Sequence, residues 1–131
     1  MVVGVGVDLI EAERITEALG RHPERMKARL FTDGEQAYCE GRHTPALHYA
    51  ARFAAKEAFS KAVGTGFTGN LKWREIEIEN LPGGEPVLRL HGVAAELAAR
   101  RGADRCHVSL SHSRGMAVAV VLLEGPGPAA P

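Results

Sequence analysis

Cysteine is scarce in this chain. Only Cys39 and Cys106 occur in 131 residues, in unrelated contexts. That excludes a disulfide scaffold and a Cys/His zinc site, and it points to a reducing compartment. Net charge is absent as well, with 16 basic and 16 acidic residues. A balance of this kind argues against a general nucleic-acid binder. No apolar run is long enough to span a membrane. The N-terminus lacks the basic stretch, apolar run and cleavage site of an export signal, so the expected location is cytoplasmic. There is no internal repeat and no domain linker, and the length suits one domain with a modest core.

What the chain does have is charge in particular places. Residues 50–63 read as a helix. At about 100° per residue, Arg52, Phe53, Lys56, Glu57, Ser60 and Lys61 cover one half of the wheel, and Ala51, Ala54, Ala55, Ala58 and Ala62 most of the other. The alanine face favours helix and lets a neighbouring backbone come close. Glu57 and Lys61 stand four apart with the acid first, the favourable order for an ion pair. Arg52 and Lys56 repeat positive charge along one row. Gly64 and Gly66 end the helix, because glycine tolerates left-handed angles. By itself a Glu–Lys pair of this type is usually a solvated face.

Two other segments bear on that reading. In Val2–Glu11, strand alternation puts Val3, Val5, Val7 and Leu9 on one face and Gly4, Gly6 and Asp8 on the other. A carboxylate at the end of a row without side chains lets a ligand or a backbone approach closely; alternatively, Asp8 caps the following helix. A dinucleotide fingerprint is excluded, since it needs glycine where Leu9 stands. The segment His107–Gly115, followed by Met116–Leu123, reads as a hairpin turning near Ser113-Arg114-Gly115. Its hydroxyls, imidazoles and arginine are donors suited to phosphate oxygens, or else satisfied structural groups. A Ser-His nucleophile lacks a third, orienting residue.

Taken together, three stretches resemble holo-[acyl-carrier-protein] synthase, the small bacterial type of 4′-phosphopantetheinyl transferase. They are Gly6-Val7-Asp8-Leu9-Ile10-Glu11, then Arg52 to Ala62 with Gly64-Thr65-Gly66, then His107-Val108-Ser109-Leu110-Ser111-His112. The resemblance runs from Met1 to about Glu124. It implies transfer of the phosphopantetheine arm of coenzyme A to a serine of apo acyl carrier protein, releasing adenosine 3′,5′-bisphosphate, in support of fatty acid biosynthesis. It implies Asp8 and Glu57 as ligands of a divalent metal, normally Mg2+, and Lys61 as the lysine on the pyrophosphate. Arg52, Lys61, Gly64, Thr65, Gly66, Ser111 and His112 are the implied coenzyme A contacts. Arg14 is implied in carrier docking. Either Arg42 or His43, in the loop before the central helix, is implied near the nucleotide's 3′-phosphate. The family also forms homotrimers with active sites shared between neighbours, so His112 need not serve the site of its own Asp8.

The residues suit that chemistry on general grounds. Magnesium is commonly held by one or two carboxylates together with substrate phosphates. Phosphoryl transfer asks the protein mainly for positioning and charge neutralisation. Lys61 would neutralise the leaving phosphate, and Glu57, directly or through a bound water, would take the serine proton. Between positions 21 and 29, Arg21, Arg25, Lys27 and Arg29 face only Glu24. That basic surface suits an acidic carrier, with Arg21 and Arg25 joining Arg14, or it is a solvated helix face.

The expected fold is α+β, a mainly antiparallel sheet packed against a long central helix and shorter helices. The expected elements are strand 2–9, helix 11–20, helix 33–41, helix 45–63, strands 72–80 and 86–91, helix 92–101, and strands 106–112 and 116–124. Residues 1–124 form the expected single domain, and the Gly/Pro/Ala tail 125–131 is expected to be mobile. Two other functions use the same residues. A coenzyme A or nucleotide sensor leaves Asp8 and Glu57 without a purpose, and a metal-dependent phosphohydrolase would replace the serine by water.

Overall fold

Gly4 and Gly6 decide how the chain packs. Strand β1 (Val2–Glu11) and helix α4 (Pro45–Ala62) meet where β1 has no side chains and α4 has alanines. A Cβ on Gly4 would collide with the Ala62 carbonyl, and one on Gly6 with the Ala58 carbonyl. Backbone therefore lies on backbone, and both Ala58 and Ala62 are buried. In the computed structural model, which describes residues 1–129, this contact is the centre of the molecule.

Around it the elements follow in order: α1 (Ala12–Leu19), α2 (Pro23–Leu30), α3 (Asp33–Glu40), α4, β2 (Ile76–Asn80), β3 (Pro86–Leu90), α5 (Gly92–Arg100), β4 (Arg105–Ser113) and β5 (Met116–Glu124). One antiparallel sheet has the order β1-β5-β4, and β2 and β3 form a second, two-stranded sheet. The class is α+β. The β4–β5 hairpin turns on Arg114 and Gly115, both at positive φ (52° and 78°), which suits the right-handed twist of the strands it joins. One core cluster gathers Phe59, Ile76, Ile78, Val121 and Leu123 against the alanines of α4. A second gathers Ile15, Leu30, Phe31, Cys39 and Tyr49 at the helix's N-terminal half.

Two expectations about elements need correction. The strand expected at 72–80 begins only at Ile76, and Trp73–Glu75 is a 3-10 turn. The Glu75 carboxylate caps instead of pairing: Oε1 accepts from Lys72 N (2.9 Å) and Oε2 from Val93 N (2.9 Å). The segment 21–30, given no element beforehand, contains α2, started by Pro23 at its first position and carrying Lys27 and Arg29 in its last turn. Gly125 exchanges hydrogen bonds with Met1 and Gly127 donates to Gly102. Ala130 and Pro131, the end of the expected tail, lie outside the described residues.

Gly6→Ala is expected to destabilise the fold by about 3 kcal/mol or more, because neither backbone can retreat without moving the sheet or the helix. Urea denaturation checks this; a loss of under about 1 kcal/mol would show that the contact is looser than described.

Candidate active site

Four residues from three elements converge on one cleft of about 450 Å³. Asp8 comes from the end of β1, Arg14 from α1, and Phe53 and Glu57 from α4; Leu9, Ile10, Glu11 and Met116 complete the lining. The two acids, 49 positions apart, thus share one cleft within a single chain. Asp8 follows Gly4 and Gly6 on the α4-facing side of β1, and Glu57 stands beside Ala58, whose carbonyl rests on Gly6. The close backbone approach is what brings the acids together.

Lys61 spans the gap. Its Nζ donates to Asp8 Oδ1 (3.1 Å) and to the Val7 carbonyl (3.0 Å). The ion pair expected between Glu57 and Lys61 along the helix is not formed among the described residues; the lysine reaches across to the strand. Glu57 has its carboxyl pKa raised above the ordinary value, first by burial and then by the charge on Asp8, with Lys61 opposing both. Two carboxylates served by one lysine leave negative charge for a cation to neutralise. No group of three or more His, Cys, Asp or Glu suited to a metal occurs among the described residues. Two hard oxygen donors fit an ion that takes its remaining ligands from water and substrate phosphates, as Mg2+ does.

The other predicted residues lie elsewhere. The half-wheel from Arg52 to Lys61 is divided: Phe53 and Glu57 line the cleft and Lys61 reaches β1, whereas Arg52, Lys56 and Ser60 are buried. Arg52 lines a second cleft of about 370 Å³ with Tyr38, Glu77, Glu79 and Asn80. Its Nη2 donates to Asn80 Oδ1, while its buried Nε has no hydrogen-bond partner. The guanidinium lies 4.2 Å from the centre of the Tyr38 ring, and that of Arg42 lies 4.3 Å from the same centre. Arg42 also donates to Tyr38 OH (2.6 Å). Close by, the His48 and His112 rings meet edge-on at 5.4 Å, and the Tyr38 and His48 rings at 5.7 Å. Burial lowers the His48 pKa, and His112, Arg52 and Arg42 lower it further. Arg42, Arg52 and His48 thus surround Tyr38, with His112 against His48.

On the sheet, His112 pairs with Ala117, which pairs with Ile10, whereas Asp8 pairs with Ala119. Two strand spacings and two residues of rise separate His112 from Asp8, roughly 12 Å between Cα atoms. Ser111, the next residue on β4, points to the opposite face, where Leu9 and Val120 are exposed. Gly64 and Gly66 have φ of 80° and 61°, and the amides of Thr65 and Gly66 both donate to the Ser60 carbonyl, closing the end of α4. Arg14 sits loosely beside Glu17 at 4.0 Å. Arg21 and Arg25 are exposed at the start of α2. Sequence reasoning missed Tyr38, His48 and Asn80, which no local pattern ties to Arg52.

Asp8→Asn is expected to lower the pKa of Glu57, since it removes a neighbouring negative charge and frees Lys61. A carboxyl-carbon NMR titration of the metal-free protein reads this directly. An unchanged or raised Glu57 pKa would mean that the two acids do not feel each other.

The family model of the "4'-phosphopantetheinyl transferase superfamily" matches residues 4–121. The chain is 49% identical over 128 residues to a holo-[acyl-carrier-protein] synthase of Methylobacterium radiotolerans, covering 95% of this chain and 94% of that protein. Its fold is similar to the crystal structure of holo-[acyl-carrier-protein] synthase from Neisseria meningitidis (TM-score 0.84, 31% identity, 95% and 99% of the two chains). It is similar, too, to a holo-(acyl-carrier-protein) synthase from Bacillus anthracis in complex with CoA (3′,5′-ADP), with TM-score 0.77, 36% identity, and 95% and 98% covered.

Proposed function

The chain belongs to the 4′-phosphopantetheinyl transferase superfamily, and from that premise we propose that it transfers 4′-phosphopantetheine from coenzyme A to a serine of apo acyl carrier protein. The products are holo acyl carrier protein and adenosine 3′,5′-bisphosphate, and the reaction supports fatty acid biosynthesis in the cytoplasm. The observation that carries this reading is the cleft shared by Asp8 and Glu57, with Lys61 at its edge. The names of the relatives support it.

Asp8 and Glu57 would hold Mg2+, which when bound neutralises pyrophosphate charge. Lys61, on a mobile stem, would leave Asp8 for the pyrophosphate and offset charge growing on the departing phosphate. The serine oxygen forms a bond to the phosphorus bearing the pantetheine arm as the bond to the oxygen of adenosine 3′,5′-bisphosphate breaks. The serine proton goes to the side of Glu57. Because an ion held by Glu57 would lower its basicity, the proton would pass to it directly or through a bound water. In the metal-free protein, burial and the charge of Asp8 raise the Glu57 pKa, and a bound cation would oppose that rise.

At the nucleotide end, Arg52 and His112 are assigned to coenzyme A phosphates. Arg42, which shares Tyr38 with Arg52, is assigned to the 3′-phosphate in preference to His43. The partnerless Nε of Arg52 supports a ligand there. Gly64 to Gly66 provide a close backbone surface. The exposed apolar face of the sheet supports a homotrimer: Val5, Val7 and Leu9 are 57%, 53% and 60% exposed and continue into Val120. Ser111 opens onto that face, so it would serve a neighbour's coenzyme A. Arg14, already in the cleft, would meet the incoming carrier, with Arg21 and Arg25 guiding an acidic surface. A sensor of coenzyme A gives the paired acids no task, and a phosphohydrolase gives none to Arg14 and the basic start of α2.

Incubation with coenzyme A, Mg2+ and apo carrier, read by mass spectrometry of the carrier, tests the reading. A phosphopantetheine mass gain is expected; cleavage of coenzyme A without carrier, or binding without turnover, would refute it. Asp8→Asn and Glu57→Gln should each remove most turnover while the fold persists. Lys61→Ala should lower kcat more than it weakens coenzyme A binding, because the charge it offsets grows in the transition state. Separately, Arg14→Ala should raise KM for the carrier and leave coenzyme A affinity alone; the reverse pattern would take Arg14 off the docking surface.

A further inference from the structure

We propose that the buried Lys56–Glu35 pair is a positioning device that sets the rotation of α4 and thereby aims Glu57 into the cleft. The inference rests on the reading of Glu57 as an ion-holding group. Both side chains are fully buried, and Lys56 Nζ lies 2.7 Å from Glu35 Oε1. The ammonium also donates to the Trp73 carbonyl (3.0 Å). Glu35 accepts in addition from Thr32 N (2.9 Å) and from Ile78 N (3.0 Å). One carboxylate therefore ties together α4, the N-terminus of α3 and the middle of β2, and the lysine adds the turn before β2.

Stability alone does not call for this arrangement. Apolar residues of similar volume often replace a buried ion pair without loss. What the pair adds is direction. On the β1 side, α4 rests on Gly4 and Gly6 through Ala58 and Ala62, a contact that fixes distance, and the half-exposed Lys61 side chain adds its bonds to Asp8 and the Val7 carbonyl. Lys56 supplies a fully buried stop on another flank, one turn from the bond between Arg52 and Asn80. Consecutive helical residues point about 100° apart, so holding Lys56 inward holds Glu57 toward Asp8. A rotation of about 10° carries a side-chain end at a radius of about 5–6 Å through about 1 Å. A misplacement of about 1 Å at a reacting centre can cost about a hundredfold in rate. The same knot fixes a wall of the cleft: Phe53 stacks on Trp73 at 4.9 Å, and Lys56 holds the Trp73 carbonyl.

Two variants test the proposal. Lys56→Met combined with Glu35→Gln removes both charges and nearly keeps volume. Glu35→Asp keeps both charges and shortens the acid by one methylene. Each is measured for carrier mass gain and, by electron paramagnetic resonance, for Mn2+ affinity in the presence of coenzyme A, with results normalised to the folded fraction from circular dichroism. The expected result is a fall in kcat of tenfold or more and a rise of at least fivefold in the Mn2+ Kd, with KM for coenzyme A changed less than twofold. Folded variants with the kcat and Mn2+ affinity of the parent protein overturn the proposal, as does a loss that vanishes on normalisation. If the double variant does not fold, Glu35→Asp decides. Glu57→Gln is measured alongside. If it keeps turnover and Mn2+ affinity, the assignment of Glu57 fails; if it is inactive while the pair variants match the parent, only the positioning role fails.

Discussion

The absence of a side chain at Gly6 is the constraint on which the rest depends. Because Ala58's carbonyl can rest there, α4 lies against β1 at backbone distance. Because it lies so close, a glutamate on the helix and an aspartate on the strand line one cleft. Any larger residue at Gly4 or Gly6 would push the helix outward and carry Glu57 away from Asp8. The alanines of α4 therefore do more than favour helix: they form one half of a contact whose other half is glycine.

That geometry creates an electrostatic imbalance. Burial and the neighbouring Asp8 make the charged form of Glu57 costly, and the one lysine within reach is bonded to Asp8. At the other end, Arg42, Arg52 and His48 crowd around Tyr38, and His48 is held toward its neutral form. At one end of α4 Glu57 thus lacks a bonded cation, and at the other the buried Nε of Arg52 lacks a partner. A ligand with a phosphate at one end and an ion-bound pyrophosphate at the other matches both. Arg52 and Glu57 are five residues apart, about 7.5 Å along the axis and about 140° around it, so they line separate clefts.

The sequence made the elements with strong periodicity legible. The alternation of β1, the alanine face of α4 and the glycine turn of the β4–β5 hairpin all have local causes, and the residues that form them lie close together in the chain. Helix α2 was missed because Met26 and Leu30 are too few to make an apolar stripe among Arg25, Lys27 and Arg29; its signal was Pro23 at the first position. Trp73–Glu75 looked like strand because its alternation continues that of β2, yet Glu75 spends both carboxylate oxygens on caps. The wheel grouped Arg52 and Lys56 with Glu57 as one polar face. Only the partners Glu35 and Asn80, distant in sequence, explain why two cations could be buried there. Periodicity reports what a helix offers, not which neighbour accepts it.

The alternation of β4 carries a further consequence. Ser111 and His112 are adjacent, so one points to the α4 side and the other to the open side of the sheet. Both were assigned to coenzyme A. A single chain cannot turn two successive strand residues toward one ligand. If both assignments hold, the two residues meet coenzyme A from opposite faces of the sheet. The open face is where Val5, Val7, Leu9 and Val120 are exposed, a row that water alone would leave uncovered at a cost. The homotrimer proposed above resolves both facts at once, since a neighbour seated on that row would cover the valines and bring its own coenzyme A to Ser111.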